Sequence, residues 1–375
     1  MLKVFILLSY FSLLPLFAES IKIGILSKYN LSEIDLDISD NTRMFYDGRD
    51  LKLKKGLIKV YSQKDKIHFG KSIIAKSILI NASENIKLSF SKENHVLERN
   101  YKGDLEFISL DGRLQLVLSI PLEEYVSSAV QSELGELLQD GRYNSEAHKK
   151  ELIAAQEIVI RTFIKKEKDR HEKEPYDFCD LTHCLHFEGT QKTKSIYPGV
   201  ILKGKDSISG YFHSTCGGIL SGPEVYWAKH EISTHYKRGK DGVSAYCSDS
   251  PHSEWETILT ERELENILND RKISNIFVVE KQNRVSHLKY KSEQFIKTIP
   301  ISTFISRTGK LYGWNKIKSN LFKIQKLRER YLFVGKGLGH GIGLCQWGSA
   351  KLAANGKTYR EILEFYFPDT ELSKQ

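Results

Sequence analysis

With 375 residues the chain has room for two or three domains, and at 40% hydrophobic and 27% charged residues it is globular rather than disordered. Its formal net charge of +9 comes from scattered basic residues, as in Lys165-Lys166-Glu167-Lys168, with no nucleic-acid motif beside them. That excludes a nucleic-acid-binding class and directs the charge toward an anionic wall or membrane surface. Five cysteines, at 179, 184, 216, 247 and 345, are an odd set, so a full disulfide framework within one chain is excluded.

Residues 1–18 read as a signal peptide: Lys3 supplies the positive start, Val4–Leu8 and Phe11–Phe17 the apolar stretch, and Ala18 a small residue at the cleavage point. An uncleaved anchor is the alternative. No Cys follows the apolar run, which argues against lipid modification, and no later segment reaches the roughly 18 apolar residues of a membrane span. The expectation is an exported protein of the periplasm or cell-wall compartment, with no transmembrane helix in the mature chain.

The fold expected is α+β. Residues 19–110 form a β-rich N-terminal region, and a mixed α/β catalytic region with two core helices and a Gly-rich cleft loop occupies 111–375. Alternation at Ile21–Ile25, Leu57–Tyr61, Ile78–Ile80, Ile86–Phe90 and Leu114–Leu118, with turns at Asp47-Gly48 and Asp111-Gly112, marks the strands. Helical spacing begins at Pro121, with Leu122, Val126, Ala129, Val130, Leu134 and Leu137 on one stripe. Pro121 suits a first helical turn, and Glu123 and Glu124 suit its dipole. A second helix spans about Ser145–Lys168, with Leu152, Ala155, Val159 and Phe163 on one face. Residues 175–255 read as loops with short strands, 258–269 as a short amphipathic helix and 275–335 as strands. Helices near 349–355 and 358–366 close the chain.

Four segments carry side chains suited to chemistry. Glu133 falls on the apolar stripe of the first helix, where burial raises a carboxyl pKa as a general acid requires; a Glu at the stripe edge, reaching water or a Lys, fits the same pattern. Cys179-Asp180-Leu181-Thr182-His183-Cys184 places two thiols and an imidazole within six residues. His171 would complete a tetrahedral zinc site, His186 is the rival fourth ligand, and a Cys179–Cys184 disulfide is the alternative. His213-Ser214 lacks the Gly-x-Ser-x-Gly pattern of a serine hydrolase and reads as a polar loop lining a groove. Cys216 and Cys247 fit either a pair or free thiols. The run Gly335–Ala350 alternates glycines with His340, Cys345, Gln346 and Trp347. It is no phosphate loop, since Gly-Lys-Ser/Thr is absent. Cys345 precedes a helix, whose dipole would lower its pKa, so a thiol hydrolase is a third reading.

In order and spacing these segments resemble the stage II sporulation protein D (SpoIID) family, which includes the amidase enhancers. The matches are Pro121-Leu122-Glu123-Glu124-Tyr125-Val126 with Glu133, Ala155-Gln156 with Arg161-Thr162-Phe163, His213-Ser214-Thr215-Cys216-Gly217-Gly218, and Gly337-x-Gly339-His340-Gly341-x-Gly343-x-Cys345-Gln346-Trp347-Gly348. Gly356–Leu363 and Tyr366–Leu372 follow, so the resemblance covers about 110–373. Two departures stand out: Ala154 replaces a frequent Lys, and Leu185 a common Gln.

The resemblance implies a lytic transglycosylase acting on peptidoglycan strands stripped of stem peptides, with Glu133 as the catalytic carboxylate. It implies structural zinc on Cys179, His183, Cys184 and His171. Arg161 would hold a sugar carboxylate or amide or orient Glu133, although a helix-end ion pair fits it as well. Ser214 would line the groove, His340 and Gln346 would donate to sugar hydroxyls or acetamides, and Trp347 would stack on a pyranose or pack in the core. The implied partners are glycan strands and a cell-wall amidase. The second reading is a non-catalytic wall-binding enhancer of that amidase.

Overall fold

Alternating apolar residues in Ser20–Ile25 turn Ile21, Ile23 and Ile25 inward. This strand pairs antiparallel with Arg113–Pro121, setting Ile23 against Leu118. In the computed structural model, which describes residues 19–82, 85–92, 95–227, 232–293 and 295–374, these two strands sit within a seven-stranded sheet. Its order is Phe178–Cys179, Ser20–Ile25, Arg113–Pro121, Asp104–Leu110, Ser77–Asn81, Arg43–Tyr46 and Arg49–Lys52. A six-stranded sheet runs His95–Tyr101, Ile86–Lys92, Glu33–Ile38, Gly56–Gln63, Lys66–Phe69 and Ile73–Ala75. Both belong to one unit that ends at Tyr125 and takes in Lys173–Asp180. The expected signal segment 1–18 lies outside the described residues. Among those described, no helix is long and apolar enough to cross a membrane.

Pro121 closes a strand, paired with Ser20, and the helix α1 (Leu122–Gln139) begins one residue later than the periodicity suggests. The second unit comprises Val126–Glu172 and Leu181–Gln375. Its central element is α2 (Glu146–Lys166), in which every residue from Ala154 to Ile164 is buried. A helix enclosed on all sides is a core helix rather than a surface one. The short α3 (Pro223–Tyr226) follows.

Residues 258–260 belong to a strand, Trp255–Thr260, and not to the helix expected there. Thr260 caps α4 (Glu261–Leu268): its hydroxyl accepts from the Glu263 amide while the Glu263 carboxylate accepts from Thr260, a reciprocal pair that fixes the helix start. The strand-like stretch 275–335 also hides a helix, α5 (Ile301–Tyr312). Its buried Ile301, Phe304, Ile305 and Thr308 recur at spacings of three and four. Two three-stranded sheets, with α4 and α5, close over a core of Leu264, Ile267, Leu288, Phe304 and Phe333. The last helices are α6 (Gln346–Ala354) and α7 (Tyr359–Tyr366), the latter with a Thr358–Glu361 capping box.

Candidate active site

The first half of the site lies where α1 passes from buried residues, Tyr125–Val130, to the half-buried Gln131, Ser132 and Glu133. Ser127, Ser128 and Ser132 are small hydroxyl residues, and a loop lies close against them. The Gln191 amide donates to Ser128 Oγ at 3.0 Å and the Glu188 amide to Ser132 Oγ at 3.2 Å. Loop amides that would otherwise lack partners are thereby satisfied. In the same register the His186 amide donates to Glu133 Oε1 at 2.6 Å, and the His186 ring nitrogen Nδ1 donates to the Ser132 carbonyl at 3.3 Å.

Glu133 is half-buried, and loss of water around it raises its pKa above the ordinary carboxyl value. The His186 amide and imidazole, and then Gln346, pull the other way and do not reverse the shift. Gln346 opens α6 and is buried, and among the described residues its Nε2 has no partner at strict hydrogen-bond geometry, Glu133 acting on it more loosely. It lies near enough to influence Glu133 and keeps a donor in hand. We expect Gln346→Leu to move the alkaline limb of any Glu133-dependent rate to higher pH, because a group favouring the carboxylate is removed. An unshifted limb in a pH–rate profile would dissociate the two residues.

The second half is the Gly-rich run. Phe212 and His213 pair in parallel with Leu344 and Cys345, Thr215 bridges Leu338, and the Trp347 amide donates to the Ser214 carbonyl at 3.1 Å. Such close lacing requires glycine. Gly337 and Gly343 have φ of +82° and +70°, and a Cβ on either would collide with the carbonyl of Thr215 or Tyr211. Ser214 is half-buried, its hydroxyl 3.2 Å from that of Thr215.

Three of the residues singled out in the sequence are deeply buried. Arg161 is fully enclosed, donating to the Val200 carbonyl at 2.7 Å and to Ser195 Oγ at 3.1 Å. Trp347 is 5% exposed, edge-on to Tyr143 and beneath the Arg142 guanidinium. Of its two alternatives, that enclosure favours core packing over stacking on a sugar. Cys345 sits directly before α6 but is fully buried, which removes the surface a thiol nucleophile needs. His340 is half-buried among Tyr211, Tyr226 and Trp227, and its Nδ1 accepts from the Ile342 amide. Burial and then the Arg284 charge drive its pKa down to about 3, so it is a neutral ring.

All five cysteines are thiols. Within the second unit, His171 Nε2 lies 3.2 Å and His183 Nδ1 3.5 Å from Cys184 Sγ. With the Cys179 thiol these residues make up two thiols and two imidazoles, a donor set that suits closed tetrahedral zinc. In the sequence His186 reads only as a rival ligand, and nothing local marks its amide contact to Glu133. Arg284 and Asp241, both fully buried and bound to the Cys216–Gly218 turn, are further residues of this region. No local pattern marks either one.

Comparison with known proteins places residues 110–208 in the SpoIID (Stage II sporulation protein) family model. The chain is 24% identical over 286 residues to Stage II sporulation protein D of Bacillus subtilis, covering 69% of this chain and 76% of that protein. It is 40% identical over 78 residues to the Amidase enhancer of Bacillus subtilis, which is 21% of this chain and 11% of that one. An uncharacterized protein of Brachyspira hyodysenteriae is 25% identical over 293 residues, 72% of each chain.

Proposed function

We propose that this chain, which belongs to the SpoIID family, is an exported enzyme that cleaves the glycan strand of peptidoglycan as a lytic transglycosylase. The observation that supports this best is Glu133: a half-buried carboxyl with a raised pKa, one oxygen fixed by the His186 amide, beside an unsatisfied amide donor on Gln346. This is the environment of a carboxylic acid kept protonated near neutral pH.

In the reaction, Glu133 gives its proton to the glycosidic oxygen between N-acetylmuramic acid and N-acetylglucosamine as the C1–O bond breaks. The resulting carboxylate takes the proton of the muramoyl 6-hydroxyl, whose oxygen bonds to C1. The products are a free 4-hydroxyl on one strand and a 1,6-anhydro end on the other. Most glycosidases use two carboxylates. Here the internal hydroxyl replaces water, so a second carboxylate to activate water is not required. Gln346 Nε2 is the donor placed for a sugar acetamide or hydroxyl, with Ser214 on the neighbouring segment.

Zinc on His171, Cys179, His183 and Cys184 would be structural, since four protein ligands leave no open position. It would fix the loop that continues to His186 and so hold Glu133. Cys184→Ser is expected to lower zinc content by about one ion per chain and to reduce thermal stability; unchanged metal content would remove the ligand set.

The decisive experiment incubates the protein with peptide-free glycan and searches the products by mass spectrometry for 1,6-anhydro ends. Their absence, with retained binding, would favour the second reading. That reading is a wall-binding enhancer of an amidase, supported by the local likeness to the Amidase enhancer.

A further inference from the structure

We infer that Cys216, Asp241, Cys247 and Cys345 form a second metal site, for a thiophilic divalent ion of the zinc class, which staples the Phe212–Gly218 segment to the start of α6. One ligand atom from each residue lies within 4.8 Å of the others, and all four residues are buried. Cys216 Sγ is 3.3 Å from Cys247 Sγ and 3.1 Å from Asp241 Oδ2. Tetrahedral zinc with bonds of about 2.3 Å to sulfur and 2.0–2.2 Å to oxygen sets its ligands about 3.5–3.8 Å apart, so little movement is needed to admit an ion. Thiolates with one carboxylate select zinc-class ions over magnesium or calcium, which prefer all-oxygen shells.

Charge makes the stronger argument. Asp241 is fully buried, contacted by Tyr366 Oη at 3.3 Å and by Cys216, and forms no ion pair among the described residues. Arg284 is also fully buried, and it too forms no ion pair among the described residues. Its guanidinium donates to Asn320 Oδ1 at 2.8 Å, to the Cys216 carbonyl at 2.8 Å and to the Ile219 carbonyl at 2.6 Å. Beside three neutral thiols Arg284 would be a buried charge without a counter-ion, and loss of water would push the Asp241 carboxyl up to about 7, arrangements that folded proteins avoid. A divalent ion gives Asp241 its cation. Three thiolates and one carboxylate around that ion leave an anionic cluster, which Arg284, within electrostatic reach of all three cysteines, partly offsets.

The sulfurs are also arranged as acceptors. The Cys216 amide donates to Cys345 Sγ at 3.3 Å, the Gly348 amide to the same sulfur at 3.4 Å, and the Gly218 amide to Cys216 Sγ at 3.3 Å. Amide donors of this kind orient and stabilise metal-bound thiolates. The ion would join three separate parts of the chain, and Cys345 directly precedes Gln346. It therefore fixes the α6 terminus that carries the Gln346 donor, whatever the chain does to glycan.

The test is metal analysis of the full-length purified chain after dialysis against metal-free buffer, with zinc X-ray absorption and a non-reduced peptide map. The expected result is about two zinc ions per chain, with a combined shell of about five sulfurs to three nitrogen or oxygen atoms. Cys184→Ser should keep one ion in a shell of about three sulfurs and one oxygen, and Cys247→Ser should lose that ion. A Cys216–Cys247 disulfide in the map, or a single zinc with a shell of about two sulfurs and two nitrogens, overturns the inference. A single zinc with a three-sulfur shell upholds it and instead removes the Cys/His site. The wild-type shell decides the matter even where a variant fails to fold.

Discussion

Glu133→Gln should lower the release of 1,6-anhydro ends from peptide-free glycan by ~10²–10⁴-fold while leaving the fold in place, since that is the range general acid–base catalysis contributes. Gln keeps the volume and can still accept from the His186 amide, the contact that holds the carboxylate at 2.6 Å. It has no proton to give and cannot accept one as a carboxylate does. Glycan binding should therefore survive, and the loss should fall on kcat. The pH dependence has a defined sign. Burial raises the Glu133 pKa, so the protonated, active form persists above the ordinary carboxyl range and is lost as pH rises through the raised value. kcat/KM should fall on that alkaline side in the wild type, and the limb should vanish with the activity in the variant. Wild-type turnover by Glu133→Gln would sink the assignment.

How far this site can be read in the sequence depends on which contacts are local. Glu133 is visible because the apolar residues of α1 recur at helical spacing and place it on their stripe; α2 is visible for the same reason. The glycines at 337 and 343 signal a close backbone approach, and Tyr211 and Thr215 supply the carbonyls they admit. What stays hidden is what these elements meet. Ser127, Ser128 and Ser132 look like ordinary polar interruptions until a loop about 60 residues later lies on them. Trp347 in a Gly-rich run carries no sign that Tyr143 and Arg142 enclose it. α5 was legible in principle, since its buried residues keep helical phase, but β-rich flanks on either side masked it. Asp241 and Arg284 take their meaning only from partners far along the chain.

Arg161 carries a stability prediction through its buried partners. Arg161 and Glu157 are one turn apart on α2, and both are buried. Glu157 accepts from Ser195 Oγ at 2.9 Å and from the amides of Ile196 and Tyr197, while Arg161 holds Ser195 Oγ and the Val200 carbonyl. Together they clamp the segment that leads into the strand Val200–Lys203, itself paired with Glu371–Lys374. Arg161→Met leaves Glu157 as a buried carboxylate without its cation and should cost about 3–5 kcal/mol in urea unfolding at neutral pH. Adding Glu157→Gln should recover part of that loss, because the uncompensated charge goes with it. The pH sign follows from Glu157, whose pKa burial already raises despite the Arg161 charge. Its protonated form is favoured in the fold, so that contribution is present below the ordinary carboxyl range and is lost as pH rises through the folded value. Without Arg161 the folded value climbs further, and the deficit of the single variant should shrink as pH is lowered. A loss under about 1 kcal/mol, or a deficit that grows in acid, would mean the clamp is not electrostatic and that Arg161 is available for another role.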